Sequence, residues 1–257
     1  MTQRAELLRS GGQGPDLAYV PGIDGTGEFL LGTEARLGAG FRVHCLRYVD
    51  DTDDAPDSYP QLADTAAEAL RAAGVASCLV LCESFGGGVA LSLTLRHPDL
   101  VRGLGLVNTF AWYRRRLRLA LSRLGAPLCP PPLFRLGRRL VVGWTLFGPM
   151  STPEERRAFH ALPGTFFDAV YRRRLRLIAG LDLRPRLPEV ACPVTIFAAG
   201  QDQVVDSDRQ GRLMASLLPS AELRTYARGR HLILPLAEIP WLDELRALDA
   251  RARAAGR

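Results

Sequence analysis

Short apolar runs alternate with segments of helical periodicity over the first 109 residues of the chain. Apolar runs bounded by turn-forming residues predict strands at residues 17–20, 41–48, 78–82 and 101–107. Helical composition or spacing between these runs predicts helices at residues 29–37, 59–74 and 86–97. In the second of these helices Leu62, Ala66, Ala67 and Leu70 share one face, and Gly74 follows as a stop signal.

The same alternation returns towards the carboxyl terminus. The pattern predicts a strand, a helix, a strand and a final helix, at residues 193–199, 208–218, 221–226 and from 239 or 240 towards 250. Strands that alternate with helices are typical of an α/β fold with a mostly parallel sheet and helices on both faces. We therefore predict that architecture for most of the chain.

Residues 110–190 interrupt the alternation. This stretch has no convincing strand pattern, and its basic, leucine-rich helical segments are separated by breakers at residues 129–132, 147–150 and 162–164. We predict a core formed by residues 1–109 and 191–257, with residues 110–190 as a helical, arginine-rich lid. Because open α/β sheets bind ligands at the carboxyl ends of their strands, we expect the lid over that edge.

The predicted strand at 78–82 runs into a glycine-rich turn around Ser84, in the sequence LVLCESFGGGVAL. A serine hydroxyl is a weak nucleophile unless a base accepts its proton, and a sharp turn between strand and helix can present it to a substrate. Small residues are needed where the backbones crowd, and Gly86 stands two positions after the serine. Cys82 replaces the first glycine of the G-x-S-x-G pattern. Ser84 is a candidate nucleophile, with a plain glycine-rich turn as the alternative.

Two later loops contain candidate partners for Ser84. Asp202 follows one predicted strand and His231 follows the next, so that serine, acid and histidine occur in the order expected after successive strands. Asp206 and Asp208 are rival acids, although their place at the start of the next helix also suits a cap. We predict Ser84, Asp202 and His231 as a catalytic triad.

The other histidines are weaker candidates for a base. His44 lies within a predicted strand and His97 at the end of a predicted helix, so both have structural interpretations. His160 lies in the predicted lid and is a minor candidate for the substrate pocket. The other substrate-binding residues are not predicted.

An acyl-transfer site also needs donors for the oxyanion. One candidate is the backbone N–H of Phe85, directly after Ser84, and the other is the N–H of Ile23 in the loop PGIDGTG at residues 21–27. Three glycines in this loop allow close approach of the backbone to a ligand. A phosphate-binding loop is the alternative, but the loop lacks both the Lys-Ser/Thr ending and the G-x-G-x-x-G spacing.

Charge is unevenly distributed along the chain. The 33 basic residues are all arginine and the formal net charge is +6, yet residues 110–186 contain sixteen arginines against four acids. The arginine-rich segments at 114–124 and 171–177 are interpreted either as solvated helix faces or as a surface for an anionic partner, such as a phospholipid membrane or an acyl carrier. Nucleic acid is disfavoured, because the arginines are not interleaved with aromatic and polar residues.

The remaining composition indicates a soluble, cytoplasmic protein, with peripheral membrane contact as a further possibility. The apolar runs fall short of the roughly 18 residues that span a bilayer, and the amino-terminal segment has no apolar core. The five cysteines form no CxxC pair, so neither a disulfide framework nor a zinc site is indicated. The acidic stretch at 50–57 lacks the glycine and terminal glutamate of a calcium loop. No metal and no cofactor are predicted.

Together, the PGIDGTG and ESFGG segments resemble the phytyl ester synthase and diacylglycerol-acyltransferase-like branch of the α/β-hydrolases, and related bacterial serine hydrolases. The resemblance implies an α/β-hydrolase fold with Ser84 as nucleophile, Asp202 as acid, His231 as base, and Ile23 and Phe85 as oxyanion donors. It implies cleavage of a carboxylic ester or thioester with an apolar acyl group through an acyl-enzyme. Acyl transfer to an alcohol with the same triad is one alternative, and a catalytically silent binding protein is another.

Overall fold

The computed structural model describes residues 2–51, 57–113, 145–162 and 169–256. These residues form a seven-stranded sheet with the strand order β1-β3-β2-β4-β5-β6-β7. The strands are β1 (Thr2–Gly11), β2 (Asp16–Val20), β3 (Arg42–Asp51), β4 (Cys78–Glu83), β5 (Val101–Val107), β6 (Val194–Ala199) and β7 (Ala221–Tyr226). Neighbouring strands are parallel except that β1 is antiparallel to β3, which confirms the predicted mostly parallel sheet.

Helices cover both faces of the sheet, as predicted. They are α1 (Gly32–Gly38), α2 (Tyr59–Ala72), α3 (Gly86–Arg96), α4 (Pro153–Ala161), α5 (Ala169–Gly180), α6 (Ser207–Leu217) and α7 (Trp241–Ala254), with a 3-10 helix at Arg184–Glu189. In the central strand β4, Val80 packs in the cluster that contains α2 and α3, whereas Leu79 and Leu81 pack in the cluster that contains α7. Successive side chains of a strand point to opposite faces, and so each layer of helices receives alternate residues of β4.

Strand β1 was not predicted, and its sequence shows why. Gln3 and Ala5 are buried and Arg4 between them is exposed, which is the alternation of a half-covered strand. The register against β3 then shifts between Leu7 and Arg9. A bulge of this kind adds one residue and breaks the period of two, so the sequence pattern does not reveal the strand.

The helix predicted at 29–37 begins later, at Gly32. Phe29 and Leu30 are buried, and Leu31 has a φ of 47°, which is incompatible with a continuing right-handed helix. The apolar residues at the start of this segment therefore belong to a turn that packs inward. Their composition alone does not separate such a turn from a helix.

The predicted lid is described only in part. The arginine-rich segment at 114–124, the breaker at 129–132 and Cys129 lie outside the described residues, as do residues 163–168. In the described part, an isolated bridge joins Trp112 to Asp182, and the Leu183 amide donates to the Ala111 carbonyl at 2.8 Å. The chain thus leaves the sheet and returns to it at adjacent positions, while the division into core and lid stays a prediction.

A buried ion pair ties the last helix to the sheet at the edge where the parallel strands begin. Arg102 donates to the Asp249 carboxylate at 3.0 and 2.9 Å and to the carbonyls of Asp16 and Ser77 at 3.2 and 3.1 Å. Arg102 and Asp249 are 9% and 8% exposed. Removal of one member leaves the other charge in a poorly hydrated place, which costs free energy.

We expect Arg102→Leu to lower the free energy of unfolding by about 3 kcal/mol, because the Asp249 carboxylate then loses its buried partner and keeps only the exposed Arg253, 2.8 Å from its other oxygen. Urea unfolding followed by circular dichroism measures this loss. The control is Arg212→Leu, which breaks an exposed pair with Asp208 on α6 and should cost less than about 1 kcal/mol. Equal losses in the two variants would contradict the role given to the buried pair.

Candidate active site

Ser84 follows β4 directly and adopts left-handed backbone geometry, with a φ of 51°. Residues other than glycine rarely occupy this region, so the surrounding contacts must hold it. The Ser84 amide donates to the Val107 carbonyl at 3.0 Å, and its carbonyl accepts from Thr109 Oγ1 at 2.5 Å. The end of β5 therefore fixes the turn at both sides of the serine.

The three glycines after this turn are required by close approach of neighbouring groups. A Cβ at Gly86 would lie 2.7 Å from the Val20 carbonyl oxygen and closer still to that of Pro21. A Cβ at Gly87 would lie 2.7 Å from the Thr109 Cβ, and one at Gly88 would overlap the ring of Tyr59. The start of α3 can pack beside the end of β2, Thr109 after β5 and Tyr59 of α2 only because these three positions carry no side chain.

The structure brings Ser84, Asp202 and His231 together. The Ser84 Oγ lies 3.0 Å from the His231 Nε2, and the His231 Nδ1 lies 2.9 Å from the Asp202 Oδ2. The second carboxylate oxygen of Asp202 accepts from the amides of Val204 and Val205 at 2.8 and 3.3 Å. The three side chains come from loops after β4, β6 and β7, and so they meet at the carboxyl edge of the sheet.

The rival acids, Asp206 and Asp208, lie at the start of α6. Asp206 immediately precedes α6, and Asp208 in its first turn binds Arg212 and the Thr225 hydroxyl. Asp206 has a left-handed backbone and makes no side-chain cap of α6, so the capping role considered for it is absent. The carboxylate that contacts His231 is that of Asp202.

Burial and charge have opposite effects on the Asp202–His231 pair. Burial acts to raise the pKa of Asp202, but the positive charge of His231 and the hydrogen bonds to this carboxylate outweigh burial, so the pKa is lowered. Burial acts to lower the pKa of His231, but the negative charge of Asp202 outweighs it, so the pKa is raised above its ordinary value. The carboxylate therefore favours the protonated form of the imidazole.

Asn108 was missed by the sequence analysis and holds the histidine loop in place. Its Nδ2 donates to the carbonyls of Arg230 and His231 at 3.1 and 2.7 Å, while its Oδ1 accepts from the Ala199 amide at 2.8 Å. Asn108 follows β5 and has a φ of 44°, a conformation that asparagine tolerates better than most residues. One amide side chain thus joins the ends of β5 and β6 to the loop that carries His231.

Glu83 was also not singled out, although it lies directly before the candidate nucleophile. It is 5% exposed and accepts a hydrogen bond from the Tyr19 hydroxyl. Burial, followed by the negative charge of Asp24, raises the pKa of Glu83 to about 7, while the Tyr19 hydrogen bond and the charge of His231 act in the opposite direction. The charges of Glu83 and His231 therefore influence each other: His231 acts to lower the pKa of Glu83, and Glu83 acts to raise that of His231.

The loop at 21–27 forms a tight turn beside Ser84, closed by a hydrogen bond from the Gly25 amide to the Gly22 carbonyl at 3.1 Å. Asp24 binds the amide and hydroxyl of Thr26 at 2.8 and 2.5 Å, which fixes the far side of the turn. Within the described residues, the amides of Ile23 and Phe85 donate to no protein acceptor. These are the two N–H groups that the sequence analysis assigned to an oxyanion.

An apolar cluster adjoins the histidine loop. Its buried members are Phe29, Phe147, Phe159 and Leu232, with Leu31, Leu146 and Leu162 packed against them. The cluster joins the loop after β2, the helix α4 and the residue directly after His231. His160, the minor candidate for the substrate pocket, is exposed at the end of α4, where its ring lies 5.7 Å from that of Phe159 and 6.2 Å from that of Phe147.

His44 and His97 belong to other hydrogen-bond groups. His44 is fully buried and bridges the Ser10 hydroxyl and the Asp16 carboxylate, each at 2.8 Å, near the amino end of β2 and therefore at the opposite edge of the sheet from Ser84. His97 contacts Asp64 at 2.8 Å. The four cysteines of the described residues, Cys45, Cys78, Cys82 and Cys192, are buried and form no disulfide with one another.

The described residues form neither a metal-binding cluster nor a membrane-spanning helix. Among residues 2–51, 57–113, 145–162 and 169–256, no group of three or more His, Cys, Asp and Glu side chains could hold a metal ion. In the same ranges, no helix combines the length and apolar character that crossing a bilayer requires.

Comparison with known proteins identifies relatives over most of the chain. The family model Hydrolase_4, described as serine aminopeptidase, S33, matches residues 38–237. RutD of Serratia proteamaculans (strain 568), a proposed carbamate hydrolase, is 27% identical over 231 residues that cover 84% of each protein. The pimeloyl-[acyl-carrier protein] methyl ester esterase of Chromobacterium violaceum is 27% identical and covers 86% of this chain and 88% of the relative.

Solved structures share the fold. The enol-lactonase of Burkholderia xenovorans LB400 superposes with a TM-score of 0.73 at 18% identity, over 97% of this chain and 96% of the lactonase. At this level of identity the likeness concerns the fold alone.

We expect Gly86→Ala to displace the turn at Ser84, because a Cβ would meet two backbone carbonyl oxygens that cannot move aside independently. The result should be a loss of about 2 kcal/mol or more in unfolding free energy, as overpacking at a rigid site produces. Urea unfolding measures it. Gly180→Ala is the control, since a Cβ there meets nothing within 4 Å, and a loss as large in this control would argue against crowding as the cause.

We expect Glu83→Gln to lower the pKa of His231, because the Glu83 charge helps to raise it and glutamine retains an acceptor for Tyr19. The imidazole would then lose its proton at a lower pH than in the wild type. An NMR titration of the His231 ring protons measures the change without any substrate. Glu189→Gln, an exposed change near the amino end of β6, should leave the titration unaltered, and an unaltered titration in Glu83→Gln would refute the coupling.

Proposed function

The chain belongs to the Hydrolase_4 family of serine hydrolases (serine aminopeptidase, S33), and from this we propose that it cleaves a carboxylic ester or thioester with an apolar acyl group. It is an enzyme of the α/β-hydrolase type. The observation that carries the proposal is the hydrogen-bond chain from the Ser84 hydroxyl through His231 to Asp202 at the carboxyl edge of the sheet. Ser84 serves as nucleophile, His231 as base and Asp202 as the acid that orients the imidazole.

In the first step, the Ser84 Oγ attacks the carbonyl carbon while the His231 Nε2 accepts the hydroxyl proton. A bond forms between the Oγ and the carbonyl carbon, and the carbonyl oxygen becomes negatively charged. When this intermediate collapses, the bond to the leaving alcohol or thiol breaks and His231 returns the proton to the leaving group. Asp202 stabilises the charged imidazole during the step, in agreement with the raised pKa of His231.

In the second step, water attacks the acyl-enzyme while His231 accepts one of its protons. The bond from the acyl carbon to the Ser84 Oγ then breaks, and His231 returns the proton to the serine, which restores the enzyme. The amides of Ile23 and Phe85 bind the negative oxygen in both steps. Their lack of protein acceptors within the described residues supports this assignment, because donors of this kind must be free for the transition state.

The proposal of an apolar acyl group draws on the cluster beside the histidine loop, in which the partly buried Leu31, Leu146 and Leu162 pack against the buried Phe29, Phe147, Phe159 and Leu232. Apolar surface that meets an acyl chain contributes about 0.8 kcal/mol for each buried CH₂. The ester and lactone chemistry named for the esterase and the lactonase is of the same general class. The comparison with the esterase favours an oxygen ester as the first substrate to test.

Acyl transfer to an alcohol is the alternative outcome of the same acyl-enzyme. It is favoured by the resemblance of PGIDGTG and ESFGG to the phytyl ester synthase and diacylglycerol-acyltransferase-like branch. The two reactions differ only in the group that attacks the acyl-enzyme. A product analysis with a long-chain alcohol in competition with water therefore separates them, since transfer yields the new ester and hydrolysis yields the free acid.

A membrane or acyl-carrier partner would require exposed arginines in the predicted lid. Two arginines of the segment at 171–177 are engaged within the protein: Arg173 lies 3.4 Å from Asp57, and Arg174 is buried against the loop at 21–27. These two residues do not supply an exposed basic surface. The proposal of an anionic partner thus depends on Arg172, on Arg176 and on the arginines of 114–124; residues 114–124 lie outside the described residues.

We expect Ser84→Ala to abolish labelling by a fluorophosphonate probe and to reduce ester turnover by a factor of roughly 10⁴, because the nucleophile is lost. A series of p-nitrophenyl esters from acetyl to dodecanoyl measures turnover. It should show kcat/KM rising with chain length if the acyl site is apolar.

The control is Ser10→Ala. Ser10 is also hydrogen-bonded to a histidine whose other nitrogen contacts an aspartate, but it lies at the opposite edge of the sheet. This variant should label and turn over like the wild type. A folded wild-type protein that neither labels nor hydrolyses any ester would instead support the silent binding protein.

A further inference from the structure

We propose that Arg174 of α5 is a positioning residue that holds the loop at 21–27 in the geometry required of its oxyanion donor. The inference rests on the proposed function and adds a residue to it. Arg174 is separated from the loop by about 150 positions in sequence, and neither its charge nor its surroundings in YRRRLRL distinguish it from its arginine neighbours. Only the folded structure sets it apart.

Arg174 is 3% exposed and makes a set of directed contacts. Its Nη1 donates to the carbonyls of Ile23 and Asp24, both at 2.7 Å, and its Nε donates to the Gln3 Oε1 at 3.0 Å. The guanidinium also lies 5.2 Å from the centre of the Tyr48 ring. A buried guanidinium loses hydration, and these contacts replace part of it.

The loop has a shape that admits this guanidinium. Gly25 has a φ of 68°, a left-handed conformation that favours glycine. A Cβ at this position would lie 2.5 Å from the Arg174 Cζ, so the backbone can reach the guanidinium only without a side chain. The glycine and the arginine therefore form one fitted contact, contributed by two distant segments.

With Arg174 in place, every carbonyl from residue 21 to residue 25 accepts a hydrogen bond. The Tyr48 hydroxyl donates to the Pro21 carbonyl at 3.0 Å, and the Tyr48 amide donates to the Gly25 carbonyl at 2.8 Å. The Gly22 carbonyl accepts from the Gly25 amide, and Arg174 supplies the donors for the two carbonyls between them. Hydrogen bonds to its carbonyl groups therefore fix the backbone of the loop from residue 21 to residue 25.

A hydrogen bond that fixes the direction of a carbonyl also fixes the direction of the N–H in the same planar peptide group. In a trans peptide the C=O and the N–H point in opposite directions, so the bond to the Gly22 carbonyl directs the Ile23 N–H away from the inside of the turn. Arg174 fixes the two peptide groups that follow and prevents the turn from relaxing about Ile23. A donor that is aimed before the reaction stabilises a developing oxyanion far better than one that must reorient.

This arrangement has a consequence for the predicted lid. Helix α5 lies at the carboxyl-terminal end of residues 110–190 and carries Arg174 into the site. Leu175 and Ile178 of the same helix are buried in the main core cluster, so α5 presents Arg174 from a packed position. The segment predicted as a lid therefore contributes a contact to the loop that carries the proposed oxyanion donor.

The test compares Arg174→Met and Arg174→Lys with the wild type. Methionine keeps much of the length but removes all donors, and we expect kcat to fall about 100-fold with KM changed less than threefold, as for loss of a donor to the oxyanion. Lysine keeps the charge and a donor but not the planar geometry, and we expect an intermediate loss of about 10-fold. Activity is measured on the best p-nitrophenyl ester of the series.

Inhibitor binding separates positioning from a purely structural role. A trifluoromethyl ketone forms a tetrahedral adduct with Ser84 that carries the negative oxygen, so its affinity should fall in parallel with kcat. An uncharged ether analogue of the substrate should bind the variants and the wild type equally. Urea unfolding establishes that each variant is folded, and Arg174→Lys serves if the methionine variant is not.

The control is Arg173→Met. Arg173 is the preceding residue of α5, and its guanidinium lies 3.4 Å from the Asp57 carboxylate. This variant should keep kcat within about threefold of the wild type. Folded Arg174 variants with unaltered kcat, or with equal losses of affinity for both inhibitors, would overturn the inference while leaving the proposed function intact. A wild-type protein that fails to label overturns the proposed function itself, and the assignment of Arg174 with it.

Discussion

The arrangement of the site depends on the left-handed backbone of Ser84. A non-glycine residue in this conformation costs roughly 1–3 kcal/mol, so the strain must be offset by neighbouring contacts. Those contacts are made by the carbonyl of Val107 at the end of β5 and by the hydroxyl of Thr109, which follows β5. The glycines at 86–88 allow the neighbouring backbone and side chains to approach the turn closely. The turn directs the Ser84 hydroxyl towards His231, and the loops after β6 and β7 place Asp202 and His231 to continue the hydrogen-bond chain.

Much of the fold follows from local patterns. Local patterns located six of the seven strands of the described sheet. β4, β5 and β6 are apolar runs buried at every position, whereas β3 and β7 were recognised by their spacing and their flanking turns. The local patterns missed β1, where a bulge interrupts the period, and misjudged the start of α1, where Leu31 turns the chain. The order of Ser84, Asp202 and His231 could be predicted because each follows a strand, and parallel strands end at one edge.

The residues that support these three could not be predicted in the same way. Asn108, Glu83 and Arg174 act through contacts that join segments distant in sequence, and no local spacing records which carbonyl or hydroxyl a side chain will meet. Arg174 shows the difficulty best, since a run of arginines suggests a solvated surface and one member is among the most buried polar residues of the described chain. Charge counted along a sequence does not say which side of a helix carries it.

Trp112 and Asp182, at the two ends of the segment between β5 and β6, lie side by side in an isolated bridge. This adjacency affects how proteins of this architecture can diversify. A segment that departs and rejoins at one place can be lengthened, shortened or exchanged by recombination while the scaffold beneath it stays unchanged. The proposed role of Arg174 would limit that freedom, since the exchanged piece carries a guanidinium that contacts the loop at 21–27. On that proposal, a chimaera built by swapping this segment has to import or restore a guanidinium at the same place.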